Sequence, residues 1–292
     1  MYPDFLVIGA QKSGTTWLYK ILQTHPEICL PPEKEIHFFD FPPLIPFYFL
    51  LFSPNNSIRQ WGKNRMIRDY HKVKIGELSF SWYVRYYLMP RTKQWYGSLF
   101  TKNSGQIAGD ITPRYSTLND TGVAKVHSQL PNAKIIYLLR SPIERMWSDL
   151  AMYHRPQFGQ NELNIADDIG IKIFLQNSKH LANSQYFDNL TRWEQYYSSS
   201  QIFVGFQEQI RDEPEKLLNS ICQFLGINNP NHLDSADVNK RINSHKYPPI
   251  PEHYAKMLAK LLIDDIDKLH QRFNNCYTEK WLISAHILLN TE

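Results

Sequence analysis

The sequence predicts an α/β protein with a central parallel sheet flanked by helices. Three observations carry this. Apolar runs at residues 5–8, 134–139 and 201–206 are short and apolar enough to be strands covered on both faces. Helical patterns lie between them, the alternation that a parallel sheet requires. The first run leads into a glycine turn and then a helix, an arrangement that aims backbone N–H groups and a positive helix end at one point.

That turn is the informative stretch. Gly9 and Gly14 have the spacing of a nucleotide P-loop, but Thr15 stands where the usual lysine follows the second glycine, and the lysine lies inside the loop as Lys12. From Thr15 a helix is expected with Trp17, Leu18, Ile21 and Leu22 on one side. A phosphate there would be met by Gln11, Lys12, Ser13, Gly14, Thr15 and Thr16. Residues 11–18, QKSGTTWL, resemble the 5′-phosphosulfate loop of sulfotransferases that use 3′-phosphoadenosine 5′-phosphosulfate (PAPS). The resemblance implies a P-loop-type nucleotide-binding fold, PAPS as donor and its 3′,5′-bisphosphate, PAP, as product. Trp17 would stack on the adenine by analogy with cytosolic members, or belong to the core.

Composition sets the outer bounds. A chain of 292 residues with 42% hydrophobic content fits one domain over 1–292 with a sizeable insertion. A formal charge of +4 gives no argument for nucleic acid. Cys29, Cys222 and Cys276 are odd in number and lack metal-ligand spacing, which reads as reduced, structural thiols. The first strand starts near residue 4, leaving no room for a leader, and the apolar run at 47–52 is too short to span a bilayer. The expectation is a soluble, cytoplasmic protein.

Beyond the first helix, His25-Pro26 ends the helical pattern. In an extended segment Glu35, His37 and Phe39 would share one face, with Ile36 and Phe38 on the other. Residues 34–40, KEIHFFD, resemble the segment that follows the phosphosulfate loop in heparan-sulfate-type and bacterial sulfotransferases. The resemblance makes Glu35 the general base, with His37 as runner-up. Residues 41–92 then hold 12 aromatics, eight Lys or Arg and two acids, with regular periodicity only from Ser79 to Leu88. Trp95-Tyr96 and Leu99-Phe100 match the WY-x-x-LF element that family members carry soon after their FFD, so about 41–92 reads as an insertion. Its basic, aromatic composition suits an acidic acceptor. Residues 109–115 resemble the family's G-E-K-[ST]-P segment, except that Ile111 replaces a lysine that assists the leaving sulfonate; Arg114 is the nearest substitute.

The strand at 134–139 ends in Arg140, where a kinase or ATPase would place a metal-holding acid. Asp110 is the one residue left to mimic that acid. Ser141, Pro142 and Glu144 read as N-cap, first helical residue and capping box, and Ile143, Met146, Trp147, Leu150 and Ala151 as a buried stripe, with Ser148 off it. Residues 138–148, LLRSPIERMWS, resemble the family's 3′-phosphate motif, which gives that phosphate to Arg140 and Ser148. An amphipathic helix is expected over 186–197. Residues 206–227 resemble the family's post-strand helix. Within the proline-rich loop 229–251, residues 243–248 resemble the late cofactor-closing loop, adding Ser244, His245 and Lys246 as cofactor ligands. A final helix is expected from about Pro251, striped by Tyr254, Leu258, Leu262, Ile266, Leu269 and Phe273.

The resemblance implies in-line sulfonyl transfer from PAPS to a hydroxyl or amine. Glu35 takes the acceptor proton, Lys12 meets charge on the departing 5′-phosphate, and no metal is required. The acceptor stays open among an acidic glycan, a carrier-protein-bound substrate and a small molecule. A magnesium-dependent P-loop kinase and a non-catalytic nucleotide-binding module are the competing classes.

Overall fold

The computed structural model describes residues 1–42, 44–154, 167–228 and 248–291. Its sheet has five parallel strands: β1 (Phe5–Gly9), β2 (Ile28–Cys29), β3 (Ile107–Ile111), β4 (Lys134–Leu139) and β5 (Ile202–Phe206), in the order β2-β3-β1-β4-β5. The three expected strands are β1, β4 and β5. The sheet gains β3, whose sequence Ile-Ala-Gly-Asp-Ile lacks a strong strand pattern. Gly109 is required there, because a Cβ would lie 2.1 Å from the Phe5 ring.

Alternation along β1 and β4 divides the core. Phe5, Val7, Ile136 and Leu138 face one side, where they meet helix α1 (Thr15–Gln23) and a later helix over Pro214–Leu225. Leu6, Ile8, Ile135, Tyr137 and Leu139 face the other. With both faces buried, the strands are continuously apolar instead of alternating, as parallel sheets require.

Residues 41–92 fold into a short 3₁₀ turn (Phe47–Phe52) and helices α2 (Asn56–Lys74) and α3 (Phe80–Leu88). Asn55 caps α2 through its side chain, accepting from the N–H groups of Ser57 and Ile58. Then come α4 (Lys93–Ser98), α5 (Asp120–Gln129), α6 (Pro142–His154), α7 (Asp168–Leu175), α8 (Ser178–Ala182) and α9 (Tyr186–Glu194). The chain closes with α10 (Gln207–Asp212), α11 (Pro214–Leu225), α12 (Glu252–Phe273) and α13 (Cys276–Asn290). The expected stripe of α12 is buried from Tyr254 to Leu269, while Phe273 is only partly covered.

Helix α6 starts at Pro142 as expected, but the reciprocal capping box is not what holds its start. Glu144 pairs with Arg140 at 3.2 Å, and the Ser141 N–H donates to Glu208 Oε1 at 3.3 Å. The buried side of α6 is also wider than the apolar stripe. Arg145 and Asp149 are buried in a network with Ser184 and His180, so α6 is covered by α8 as well as by the sheet. Among the described residues no helix is long and apolar enough to cross a membrane.

Candidate active site

Because the strands are parallel, their C-terminal ends meet along one edge, where such sheets place ligands. β1 delivers the loop from Gly9 to Gly14, β3 ends at Ile111, β4 at Leu139 before Arg140, and β5 at Phe206 before Glu208. Gly14 sits at φ 91° as the N-cap of α1, and a Cβ on it would meet Ile210 Cδ1 at 2.2 Å. Only glycine suits that position. The first turn of α1 has neither a capping side chain nor an acid, so its N–H groups and positive end are kept for something else. Ser13 is fully buried in the loop beside the Tyr186 hydroxyl, and its own hydroxyl makes no hydrogen bond of good geometry among the described residues. A buried hydroxyl without a well-formed hydrogen bond beside an uncapped helix start is the fit expected for a phosphate group.

Gln11, Lys12 and Thr16 are half-buried around this loop, and Thr15 is buried. The Lys12 carbonyl accepts from Arg140 Nη1 at 3.4 Å, tying the loop to the end of β4. Ser148 is buried on α6, not free on an open face as its place off the stripe suggested. Trp17 is 3% exposed and packs with Phe5, Val7 and Leu18, the core position that the sequence left open. Ser244, His245 and Lys246 lie outside the described residues.

The segment bearing Glu35 is not extended. Glu35 and His37 both lie in the left-handed region, at φ 65° and 58°, as does Lys12 at 71°. Such backbone is costly outside glycine and gathers at functional sites. The face alternation expected for 35–39 therefore does not occur, and Ile36, Phe38 and Phe39 are all buried. Glu35 and His37 still meet: His37 Nε2 is 3.5 Å from Glu35 Oε2, and His37 Nδ1 is 2.8 Å from Asp40 Oδ2. A third partner was not foreseen. Lys34 Nζ lies 3.0 Å from Thr15 Oγ1, 3.2 Å from Thr16 Oγ1 and 3.3 Å from Glu35 Oε1. One ammonium thus joins the phosphate loop to the carboxylate.

The electrostatics follow from these contacts. Burial pushes the Glu35 carboxyl up, but the His37 hydrogen bond and the charges of Lys34 and Arg65 outweigh it and bring it down to about 2. Burial pulls His37 down, yet its bonds to Asp40 and Glu35 win and hold it above its ordinary value. A ring flanked by two carboxylates is kept as a double donor.

The sign for stability is direct. His37 binds its proton more tightly in the folded chain, so its contribution is complete below about pH 6.5 and is lost as pH rises through the higher folded value. The urea midpoint of wild type should exceed that of His37→Gln by most at mildly acidic pH, and the gap should narrow above neutrality. A gap that widens with rising pH would mean that the ring is neutral in the folded protein.

Two buried arginines, which sequence reading assigned to an acceptor surface or left unplaced, fix this segment. Arg65 of α2 donates to the carbonyl of Lys34 at 2.8 Å and of Glu35 at 3.4 Å, its guanidinium lying 5.4–5.7 Å from the ring centroids of Phe47, Trp61 and Tyr86. Arg91 donates to the His37 carbonyl at 3.2 Å. Arg68 and Lys72 pair with buried Glu33. Arg65 and Arg91 are thus turned inward, while Arg59, Lys63, Arg68 and Lys74 stay exposed. The run of aromatics around Arg65 was the one sequence signal for a buried cation.

Two further expectations are revised. Ile111 is buried in the apolar layer, and its carbonyl accepts the Glu35 N–H at 3.1 Å. Arg114 is exposed, with Nε 3.5 Å from Asp40 Oδ2, the partner of His37. Asp110 is fully buried, bonded to Thr112, Tyr96 and Tyr115, and burial pushes its carboxyl up to about 6. It is a core residue and offers no metal-holding acid beside the loop, which removes the argument for a kinase.

The fold and the loop together define a P-loop-type α/β protein with cationic side chains gathered at its glycine loop. The chain belongs to the sulfotransferase family: the Sulfotransferase domain model matches residues 2–286. Sulfonyl transfer from PAPS is the reaction of that family. Among curated relatives it is 24% identical over 246 residues to human bifunctional heparan sulfate N-deacetylase/N-sulfotransferase 1, covering 78% of this chain and 22% of that protein. It is 23% identical to membrane-associated sulfotransferase kil1 of Dictyostelium discoideum, covering 96% of this chain and 66% of the relative. The chain spans about a fifth of the length of the heparan sulfate enzymes it matches. Among solved structures, a sulfotransferase from Alicyclobacillus acidocaldarius aligns with TM-score 0.64 at 20% identity, over 96% of this chain and 99% of that one. The sulfotransferase domain from the curacin biosynthetic pathway aligns with TM-score 0.54 at 17% identity, over 90% and 98%.

Proposed function

We propose that Glu35 is the general base of this sulfotransferase and that the loop from Gln11 to Thr16 holds the 5′ end of the donor. PAPS supplies the sulfonyl group when bound. The observation that carries the reading is the position of the Glu35 carboxylate: ionised, 32% exposed, and joined through Lys34 to the threonines of the loop. Glu35 accepts the acceptor proton as the acceptor oxygen or nitrogen forms its bond to sulfur and the bond from sulfur to the 5′-phosphate oxygen breaks. Lys12 and the N–H groups at the start of α1 meet the charge on the phosphate that leaves. His37 holds Glu35 in place, and Asp40 holds His37.

Arg140 and Ser148 are proposed for the 3′-phosphate. Arg140 follows β4 on the ligand edge and already reaches the loop, which supports this role. PAP should then raise the melting point more than AMP or ATP–magnesium. A hydrogen bond to a charged group contributes about 1.5–3 kcal/mol. Arg140→Ala should accordingly weaken PAP about ten- to a hundredfold and barely change AMP, as read by calorimetry. Equal losses for both nucleotides would make Arg140 a structural residue.

We also propose that 41–92 is a family insertion whose role is to brace the Glu35 segment from behind, which the inward contacts of Arg65 and Tyr86 support. The relatives named for heparan sulfate support a glycan among the acceptor candidates, and the acceptor class is decided by mass spectrometry of products from a panel of glycans, carrier-bound chains and small hydroxyl compounds. A reducing compartment, the cytoplasm, goes with this reading, since Cys29, Cys222 and Cys276 are free and burial pushes the Cys222 thiol up to about 11. Cell fractionation with a tagged chain tests it, and a membrane or secreted location would overturn it.

A further inference from the structure

We propose that Lys34 is a second donor-binding cation, its ammonium binding the 5′-phosphosulfate end together with Lys12 and so coupling donor binding to the basicity of Glu35. The inference rests on the sulfotransferase reading of this site. Lys34 and Glu35 are neighbours in sequence, and in an extended chain their side chains would point to opposite faces. They instead converge to 3.3 Å, because Glu35 takes φ 65° and turns the chain between them. Arg65 holds this turn by both of its carbonyls, and Ile111 holds it through the Glu35 N–H. The ammonium is thus placed by a constructed bend, not by a mobile surface side chain, and it is only 16% exposed.

Its partners say what it is for. All three protons of the ammonium find an oxygen: Thr15 Oγ1, Thr16 Oγ1 and Glu35 Oε1. The two hydroxyls open the first turn of α1, where an anion would sit. A cation lying on them is within one hydrogen bond of that anion. With the donor absent, the carboxylate takes part of this charge and is a weak base. With the donor present, the anion competes for the same ammonium, and the carboxylate regains proton affinity where the acceptor arrives. Burial pulls Lys34 below its ordinary value and the Glu35 carboxylate counters this; the proton that moves in the reaction goes from acceptor to Glu35. At the end of β3 the side chain is the apolar Ile111, and Arg114 is turned to Asp40, so neither supplies this charge.

The test uses the whole chain with PAP and AMP, which share the 5′-phosphate. A charge-assisted bond to phosphate is worth about tenfold or more in affinity. Lys34→Met should therefore weaken PAP and AMP alike by about tenfold or more by calorimetry, whereas Arg140→Ala weakens PAP alone. Lys34→Arg, which keeps the charge, should restore most of both affinities and guards against misfolding of the Met variant. With an identified acceptor, Lys34→Met should also lower kcat about a hundredfold, the usual loss for one transition-state donor. Unchanged PAP and AMP affinities in Lys34→Met would overturn the proposal and reduce Lys34 to a residue that positions Glu35. Loss of affinity in Lys34→Arg equal to that in Lys34→Met would overturn it too. Wild type that binds ATP–magnesium and not PAP would instead sink the sulfotransferase reading itself, and the Lys34 proposal with it.

Discussion

Glu35→Gln should lower kcat about 10²–10⁴-fold while leaving PAP affinity within a factor of a few. The substitution is nearly isosteric. The contacts that fix the backbone of residue 35, from Arg65 and Tyr86 to its carbonyl and from its N–H to Ile111, do not involve the carboxylate. The loss therefore reports on proton acceptance and on the ion pairs with Lys34 and His37, not on a collapsed segment. Single-turnover transfer from radiolabelled PAPS gives the chemical step, and calorimetry with PAP gives binding. His37→Ala should cost less, because both ring nitrogens already face carboxylates. Full activity in Glu35→Gln together with loss in His37→Ala would reverse the two roles.

Arg65→Glu should be the most destabilising single change in α2. Removing the cation strips hydrogen bonds from the carbonyls of Lys34 and Glu35 and empties a pocket between Phe47, Trp61 and Tyr86. The incoming carboxylate would then be buried against two carbonyl oxygens. Breaking a buried, hydrogen-bonded charge costs about 3–5 kcal/mol. For a chain of this size that corresponds to roughly 6–20 °C in melting temperature. Lys63→Glu is the control, since Lys63 is exposed and its loss should shift the melting temperature by only about a degree. If both variants melt alike, Arg65 does not brace the segment. If Arg65→Glu leaves stability intact and raises only the acceptor KM, the insertion contacts the acceptor as its composition suggested.

Much of the fold was legible because local signals were strong. The apolar runs of β1, β4 and β5 and the stripe of α12 need no partner to be recognised. Strand β3 was harder, since Gly109 and Asp110 are poor strand residues in isolation. Each is explained only by a neighbour: Gly109 by the Phe5 ring, and Asp110 by the hydroxyls of Tyr96, Tyr115 and Thr112. The burial of Arg65 and Arg91 was not legible for a related reason. Composition counts cations but does not say which side of a helix they occupy, and Arg65 and Arg68 on one helix have opposite fates, one buried and one exposed.

By itself, the sequence determined the class of this protein. Glycine spacing, the lysine inside the loop and the arginine after β4 are local features, and local chemistry makes them readable in one dimension. Tertiary structure alone decided how those residues meet. The left-handed turns at Glu35 and His37 are costly for an isolated chain and persist because Arg65, Arg91 and Ile111 bind the carbonyls and N–H of that segment from 30 to 76 residues away. Contacts at that separation leave no periodicity behind, so the convergence of Lys34, Glu35 and the loop threonines on one point became visible only when the chain was folded.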